Sequence, residues 1–258
     1  MNYLYEPDKV IAIIPARSGS KGVIDKNIAD IKGFPLIAYS IAAGKLVKGI
    51  SEVIVSTDSG KYADIARQYG AEIPFLRPAE ISKSDSRDIE YLQHALNAIF
   101  KRDGKVSEYV VLLRPTTPMR VTRIIEKAIG TIKDIPDATA VVSVHPIDEC
   151  PYKWMVISDG GYLESPFAEL EPDDVNLPRQ GFKKVYEPDG YVDVLRSRVV
   201  LEEGFVYGRH AVPLRINERI VDIDAYKDIE QINNSDIENS ELYSYLMHLR
   251  GATNVGSE

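Results

Sequence analysis

The chain reads as an α/β protein built on a mainly parallel sheet, with a small insertion late in the sequence. Three observations lead there. Short β-branched apolar runs alternate with helical patterns of ten or more residues, the mark of parallel strands joined by right-handed crossovers. Loops after three of those runs, IIPARSGSKG, VSTDSG and LLRPTTP, carry Gly, Ser, Thr and Arg where such a sheet binds ligands, outside the carboxyl ends of its strands. The alternation then breaks between 145 and 185, where Pro, Gly, Tyr and acidic residues take over.

In order, KVIAII is a strand, and PLIAYSIAAGKLV a helix with Pro35 suited to its first turn. EVIVST is a strand, followed by the helix KYADIARQYG with Gly70 as its stop. Strand AEIPF, helix RDIEYLQHALNAIFKRDG, strand EYVVLL, helix TRIIEKAIGTIKD and strand ATAVVSV continue the pattern. After the break come the strands YVDVL, HAVPLRI and RIVDID and the helix AYKDIEQI. The sheet domain is thus expected over 8–144 and 186–248, an inserted lobe over 145–185, and a frayed tail over 249–258. Tyr152, Trp154, Tyr162 and Phe167 are either that lobe's own core or a subunit contact.

At 258 residues the chain suits one large domain with such an insertion. It is 44% hydrophobic and 27% charged, with a net charge of −8, which argues against nucleic acid or an anionic membrane surface as partner. The opening MNYLYEPDKV lacks a signal pattern, and no apolar run approaches the roughly 20 residues that span a bilayer, so a cytoplasmic protein is expected. Cys150 is the single cysteine, which excludes an internal disulfide and a Cys-rich zinc site. The four histidines include no close pair, which argues against a His-based metal site.

The first loop, Ile13–Asn27, places Gly19 and Gly22 among the cations Arg17, Lys21 and Lys26, directly behind the first strand. Backbone N–H groups and cations together suit a polyphosphate, although a solvated turn has the same composition. Neither the G-x-x-x-x-G-K-[ST] loop nor the G-x-G-x-x-G fingerprint is present. Asp222 and Asp224 stand two apart, so in a strand both carboxylates face one side and can share a cation. Solvent-facing alternation gives the same pattern. Asp58 is either a rival ligand or the cap of the helix that follows it.

The motifs IPARSGSKGVIDKN, VSTD, LRPAE, LLRPTTPMR, PRQ and VDID, in this order, resemble those of the acylneuraminate cytidylyltransferases, over nearly the whole chain from Val10 to the 230s. The resemblance implies a Rossmann-like nucleotidyltransferase fold with a small inserted dimerisation lobe. It also implies a homodimer that uses CTP and a divalent metal, Mg²⁺ or Mn²⁺, to activate a nonulosonic (sialic-type) acid, with release of pyrophosphate. Arg17, Lys21 and Asp222 become catalytic, and Ser20, Gly22, Lys26, Asn27 and Arg77 nucleotide-binding. Arg114, Arg179 and Gln180 fall on the sugar side, and Asp222 and Asp224 on the metal.

Two positions depart from the family pattern: Arg114 stands where well-studied members have Gln, and Asp189 where Asn is common before Gly190. A guanidinium only donates, so the identity of the sugar acid stays open among sialic, legionaminic, pseudaminic and other acids. Eight-carbon 3-deoxy-manno-octulosonate activation is the nearest alternative. A nucleotide-sugar glycosyltransferase, which also uses D-x-D, is a more distant one.

Overall fold

The computed structural model describes residues 2–218 and 220–255. β1 (Tyr5–Pro15) runs into a loop and a short ribbon, β2 (Asp30–Ile31) with β3 (Phe34–Pro35), then α1 (Leu36–Leu46). β4 (Ile50–Ser56) precedes α2 (Gly60–Gln68), and α3 (Asp88–Asp103) precedes β5 (Val106–Leu112). α4 (Thr122–Asp134) leads to β6 (Ala140–Pro146). An excursion over 147–185 carries the ribbon of β7 (Val156–Ile157) and β8 (Leu163–Glu164). β9 (Tyr186–Arg196), β10 (Ala211–Arg215), α5 (Tyr226–Asn233) and α6 (Glu241–Val255) complete the chain.

Six strands form one sheet in the order β10-β6-β9-β5-β1-β4. β1 pairs in parallel with β4 and β5, and β6 with β10, whereas β9 lies antiparallel between β5 and β6. Both faces are covered, so strand residues are apolar on each side. Val10, Ala12 and Ile14 of β1 join α1, α4 and α6 on one face, while Ile11 and Ile13 join α3 on the other. Each of these valines and isoleucines contributes about 1.5–3 kcal/mol of burial.

The structure corrects four local readings. AEIPF makes only a single parallel bridge, Ile54 to Glu72, because Pro74 cannot donate to a ladder. The described part of RIVDID is extended without joining the sheet. Pro35 is the N-cap of α1, one position before its first turn. The segment expected as a tail is helical to Val255, and 256–258 lie outside the described residues. The lobe's aromatics divide: Tyr152 packs on Phe167 and stacks on Phe182, whereas Trp154 and Tyr162 are exposed.

One buried cation fixes how the strand ends meet. Arg120 is 2% exposed, and its guanidinium donates to the carbonyls of Tyr191 (2.5 Å), Arg114 (2.7 Å) and Gly190 (3.2 Å) and to the Ser40 hydroxyl (2.9 Å). Burial pulls it down to about 10, still charged at neutral pH. It clamps the loop after β5 to the middle of β9 and to α1. Arg120→Leu would strand those acceptors without donors. It is expected to lower stability by about 3–5 kcal/mol, read as a fall in the urea midpoint.

Candidate active site

The loop after β1 is built by its own polar residues. Asp58, beyond β4, accepts from the Ser18 N–H (2.7 Å) and hydroxyl (2.6 Å), so it braces this loop. The cap of α2 is instead Ser59, which accepts from the Tyr62 N–H. Buried Asn27 donates to the Arg17 carbonyl (3.0 Å), folding the loop back on itself. Lys26 donates to the Ile223 carbonyl (2.7 Å) and to Asp224 (3.0 Å), tying the loop to the acidic segment. Gly22 sits so close to the Asp224 carbonyl that a Cβ there would collide with it. Its residue type is set by that approach.

These contacts open a cavity of about 690 Å³ lined by Arg17, Ser20, Lys21, Gly22, Lys26 and Asn27, with Arg77, Arg114, Thr116 and Asp224. The residues expected around the nucleotide are therefore brought together. Lys21 is exposed. Arg77 is buried, so it is no surface arginine. It donates to the Ser56 carbonyl (2.7 Å) and hydroxyl (3.0 Å) and lies 4.6 Å over the Tyr91 ring. Burial lowers its proton affinity, with Tyr91, Asp58 and Asp88 opposing.

A second cavity, of about 600 Å³, shares Arg114 and Thr116 with the first and adds His145, Glu187, Asp189, Tyr207, Glu218 and Asp222. Arg114 donates to Asp193 (2.6 Å) and Asp88 (2.8 Å). Burial alone would lower the guanidinium, but Asp193, Tyr91 and Asp88 outweigh it and keep it charged. Gly190, at φ 66°, passes beside the Arg114 side chain. Thr117 is buried and its hydroxyl has no partner.

Asp222 and Asp224 are exposed while Val221 and Ile223 are buried, an alternation of burial kept although the segment joins no ladder. The Ile223 N–H donates to the Thr116 carbonyl (2.9 Å) and, with the two bonds from Lys26, holds it. Partial desolvation of its carboxyl pushes Asp222 above its usual range although the residue is exposed; a bond from Thr116 opposes that, and the charge on Asp224 adds to it. Two carboxylates in mutual repulsion suit a cation. No group of three or more His, Cys, Asp or Glu side chains is arranged for a metal among the described residues. The pair therefore fits Mg²⁺, which needs only one or two protein carboxylates and takes phosphate and water for the rest.

Arg179 and Gln180 are not brought to this place. They line a different cavity with Ile147, Cys150 and Phe182, and Arg179 donates to the Ile147 carbonyl (3.3 Å). Asp88, Asp193 and Arg120 are site-shaping residues that the sequence reading missed. Arg120 was within reach, since it closes the motif LLRPTTPMR. The two aspartates had no signal, standing 26 and 79 positions from Arg114.

A family model described as cytidylyltransferase matches residues 11–204. CMP-N,N'-diacetyllegionaminic acid synthase of Legionella pneumophila is 33% identical over 84% of this chain and 91% of its own length. Pseudaminic acid cytidylyltransferase of Campylobacter jejuni is 30% identical over 86% and 94%. N-acylneuraminate cytidylyltransferase of Escherichia coli is 32% identical over 86% of this chain, which spans about half of that longer relative, 51%. Among solved structures, CMP:2-keto-3-deoxy-manno-octonic acid synthetase complexed with CTP aligns at a TM-score of 0.63. It is 16% identical and covers 87% of this chain and 97% of that one, a likeness of fold. Among the described residues, no helix is long and apolar enough to cross a membrane.

Gly22→Ala is expected to push the first loop off the acidic segment, at about 1–3 kcal/mol of stability. Urea unfolding beside Gly60→Ala, whose Cβ would enter open space, separates that collision from a generic glycine effect.

Proposed function

This chain belongs to the cytidylyltransferase family, and within it we propose that the protein activates a nonulosonic (sialic-type) acid with CTP, forming the CMP-sugar and releasing pyrophosphate. One observation carries the reading. The cation- and glycine-lined cavity and a second cavity share Arg114 and Thr116 in their walls, with one of the two aspartates lining each. That is a place for two substrates to meet, and relatives named for three different nonulosonic acids supply the class.

CTP occupies the first cavity. Arg17 and Lys21 reach its phosphates with Ser20 and Gly22 beside them, Lys26 and Asn27 shape that loop, and Arg77 closes the end where the base lies. The sugar acid fills the second cavity. Its anomeric hydroxyl oxygen attacks the α-phosphorus and gives up its proton to solvent, the bond from that phosphorus to the bridging oxygen breaks, and pyrophosphate departs towards the cations. Positioning and charge neutralisation account for the acceleration. Asp222 and Asp224 would hold Mg²⁺ or Mn²⁺, which when bound neutralises phosphate oxygens.

Arg179 and Gln180 act on the sugar in this reading only from a second copy. The exposed Trp154, Ile157, Tyr162 and Leu163 of the excursion support its role as the dimerisation lobe. CTP as substrate agrees with a cytoplasmic setting. Eight-carbon acid activation rests on the fold likeness alone, at 16% identity. The glycosyltransferase alternative gives way to the family membership.

The test is pyrophosphate release from CTP and Mg²⁺ against a panel of eight- and nine-carbon keto acid sugars. Release with a nine-carbon acid, abolished by a chelator, is expected; release only with the eight-carbon acid would overturn the substrate class. Lys21→Ala should raise the barrier by about 2–4 kcal/mol, on the scale of a lost charge-stabilising donor, measured as kcat at saturating CTP.

A further inference from the structure

Asp189 is a carboxylate that the phosphoryl chemistry leaves unused. Its side chain is 1% exposed. Oδ1 accepts from the Ser143 hydroxyl (2.5 Å) and the Tyr191 N–H (3.0 Å), while Oδ2 has no partner. Oδ2 faces Nδ1 of His145 at 3.8 Å, and that ring nitrogen is also buried without a partner. The other ring nitrogen, Nε2, lies 3.7 Å from Oε2 of Glu187, an exposed carboxylate. All three residues line the second cavity. They stand on β6 and the start of β9, on the far side of β5 from the first loop.

The polarity of this end follows from Asp189. An ionised carboxylate only accepts, so its free oxygen calls for a proton on Nδ1 of His145. In the neutral ring a proton on Nδ1 leaves Nε2 as an acceptor, and Glu187, being exposed, does not depend on the ring for a donor. The cavity end then offers two acceptors side by side, Nε2 and the Glu187 carboxylate. Arg114 cannot answer them, since Asp88 and Asp193 hold its guanidinium. The Tyr207 hydroxyl donates to Asp193 (3.2 Å). A further carboxylate, Glu218, adds negative potential, and among the described residues Arg123 lies 3.7 Å from it.

We propose that the His145–Glu187 end of this cavity, set by Asp189, selects a sugar acid bearing an amine or amidine nitrogen over one bearing an acylated nitrogen. The proposal rests on the sugar-activating function above. A protonated amine or an amidine brings two or more N–H donors and a positive charge to the paired acceptors. An acyl group brings a single N–H and turns a carbonyl oxygen towards a carboxylate. The sugar's own carboxylate is repelled from Glu187, Asp189 and Glu218, which orients it towards the cations of the first loop.

Asp189→Asn inverts the device while keeping its shape. The Asn carbonyl retains the bonds from Ser143 and Tyr191. Its amide donates to Nδ1, which moves the ring proton to Nε2 and presents a donor to the cavity. The experiment compares kcat/KM for nine-carbon acids carrying a free amine, an acetimidoyl or an acetyl group at the same nitrogen, in the wild type and in Asp189→Asn. The wild type should favour the amine or amidine over the acetyl compound by at least about tenfold. Asp189→Asn should shrink that ratio by a similar factor, mainly through the KM of the acid. Glu187→Gln changes an exposed side chain and should shrink it several-fold, which keeps the test intact if Asp189→Asn fails to fold. A wild-type preference for the acetyl compound, or a ratio unmoved by both variants, overturns the proposal and leaves the function standing. No pyrophosphate from any nine-carbon acid overturns the function itself, and the proposal with it.

Discussion

A guanidinium that has left water without meeting a carboxylate governs the ligand end of this fold. Arg120 gives its donors to three backbone carbonyls and one hydroxyl, drawn from α1, the loop after β5 and the middle of β9. None of those segments can drift without stranding a buried charge, whose cost far exceeds that of an ordinary lost contact. Arg114 stands on this foundation: Arg120 takes its carbonyl oxygen, and its side chain is then aimed at Asp193 and Asp88. The two arginines form one polar spine under the boundary between the cavities. The first loop joins it from the other side through Lys26 and the close approach of Gly22 to Asp224.

The fold was legible because both faces of the sheet are buried, which writes near-continuous apolar runs into β1, β4, β5 and β6. The first loop was legible for a related reason. Its glycines and cations lie within a dozen residues, and a contiguous ligand surface shows up as composition. What stayed hidden depends on distance along the chain. Asp58 braces Ser18 from 40 positions away, and no local pattern distinguishes that carboxylate from a helix cap. Burial alternates through Val221–Asp224 as a strand's would, but whether a neighbour offers a free edge is decided elsewhere in the sheet. AEIPF failed through its proline, a warning that the sequence did contain.

The acidic character of the second cavity sits oddly with an anionic substrate until the two ends are treated separately. Near Thr116 the carboxylate is Asp222, which feels the charge of Asp224. Near β6 and β9 the carboxylates surround an imidazole. Charge is therefore graded along the cavity, and an elongated ligand with unlike ends has one preferred direction of entry. Such grading fixes orientation more than affinity.

The antiparallel course of β9 has a consequence for how the chain is assembled. Because β6 and β9 are paired neighbours running in opposite directions, residues 147–185 topologically close a hairpin, however elaborate their own structure. They depart and return at the same end of the sheet and cross over neither face. The entropy of closing such a loop grows only with the logarithm of its length. Material can thus be added or removed there while the register between Val144 and Pro188 is kept. The fold has, in effect, a graft point beside its ligand cavities, where new recognition surfaces can be exchanged without reopening the sheet.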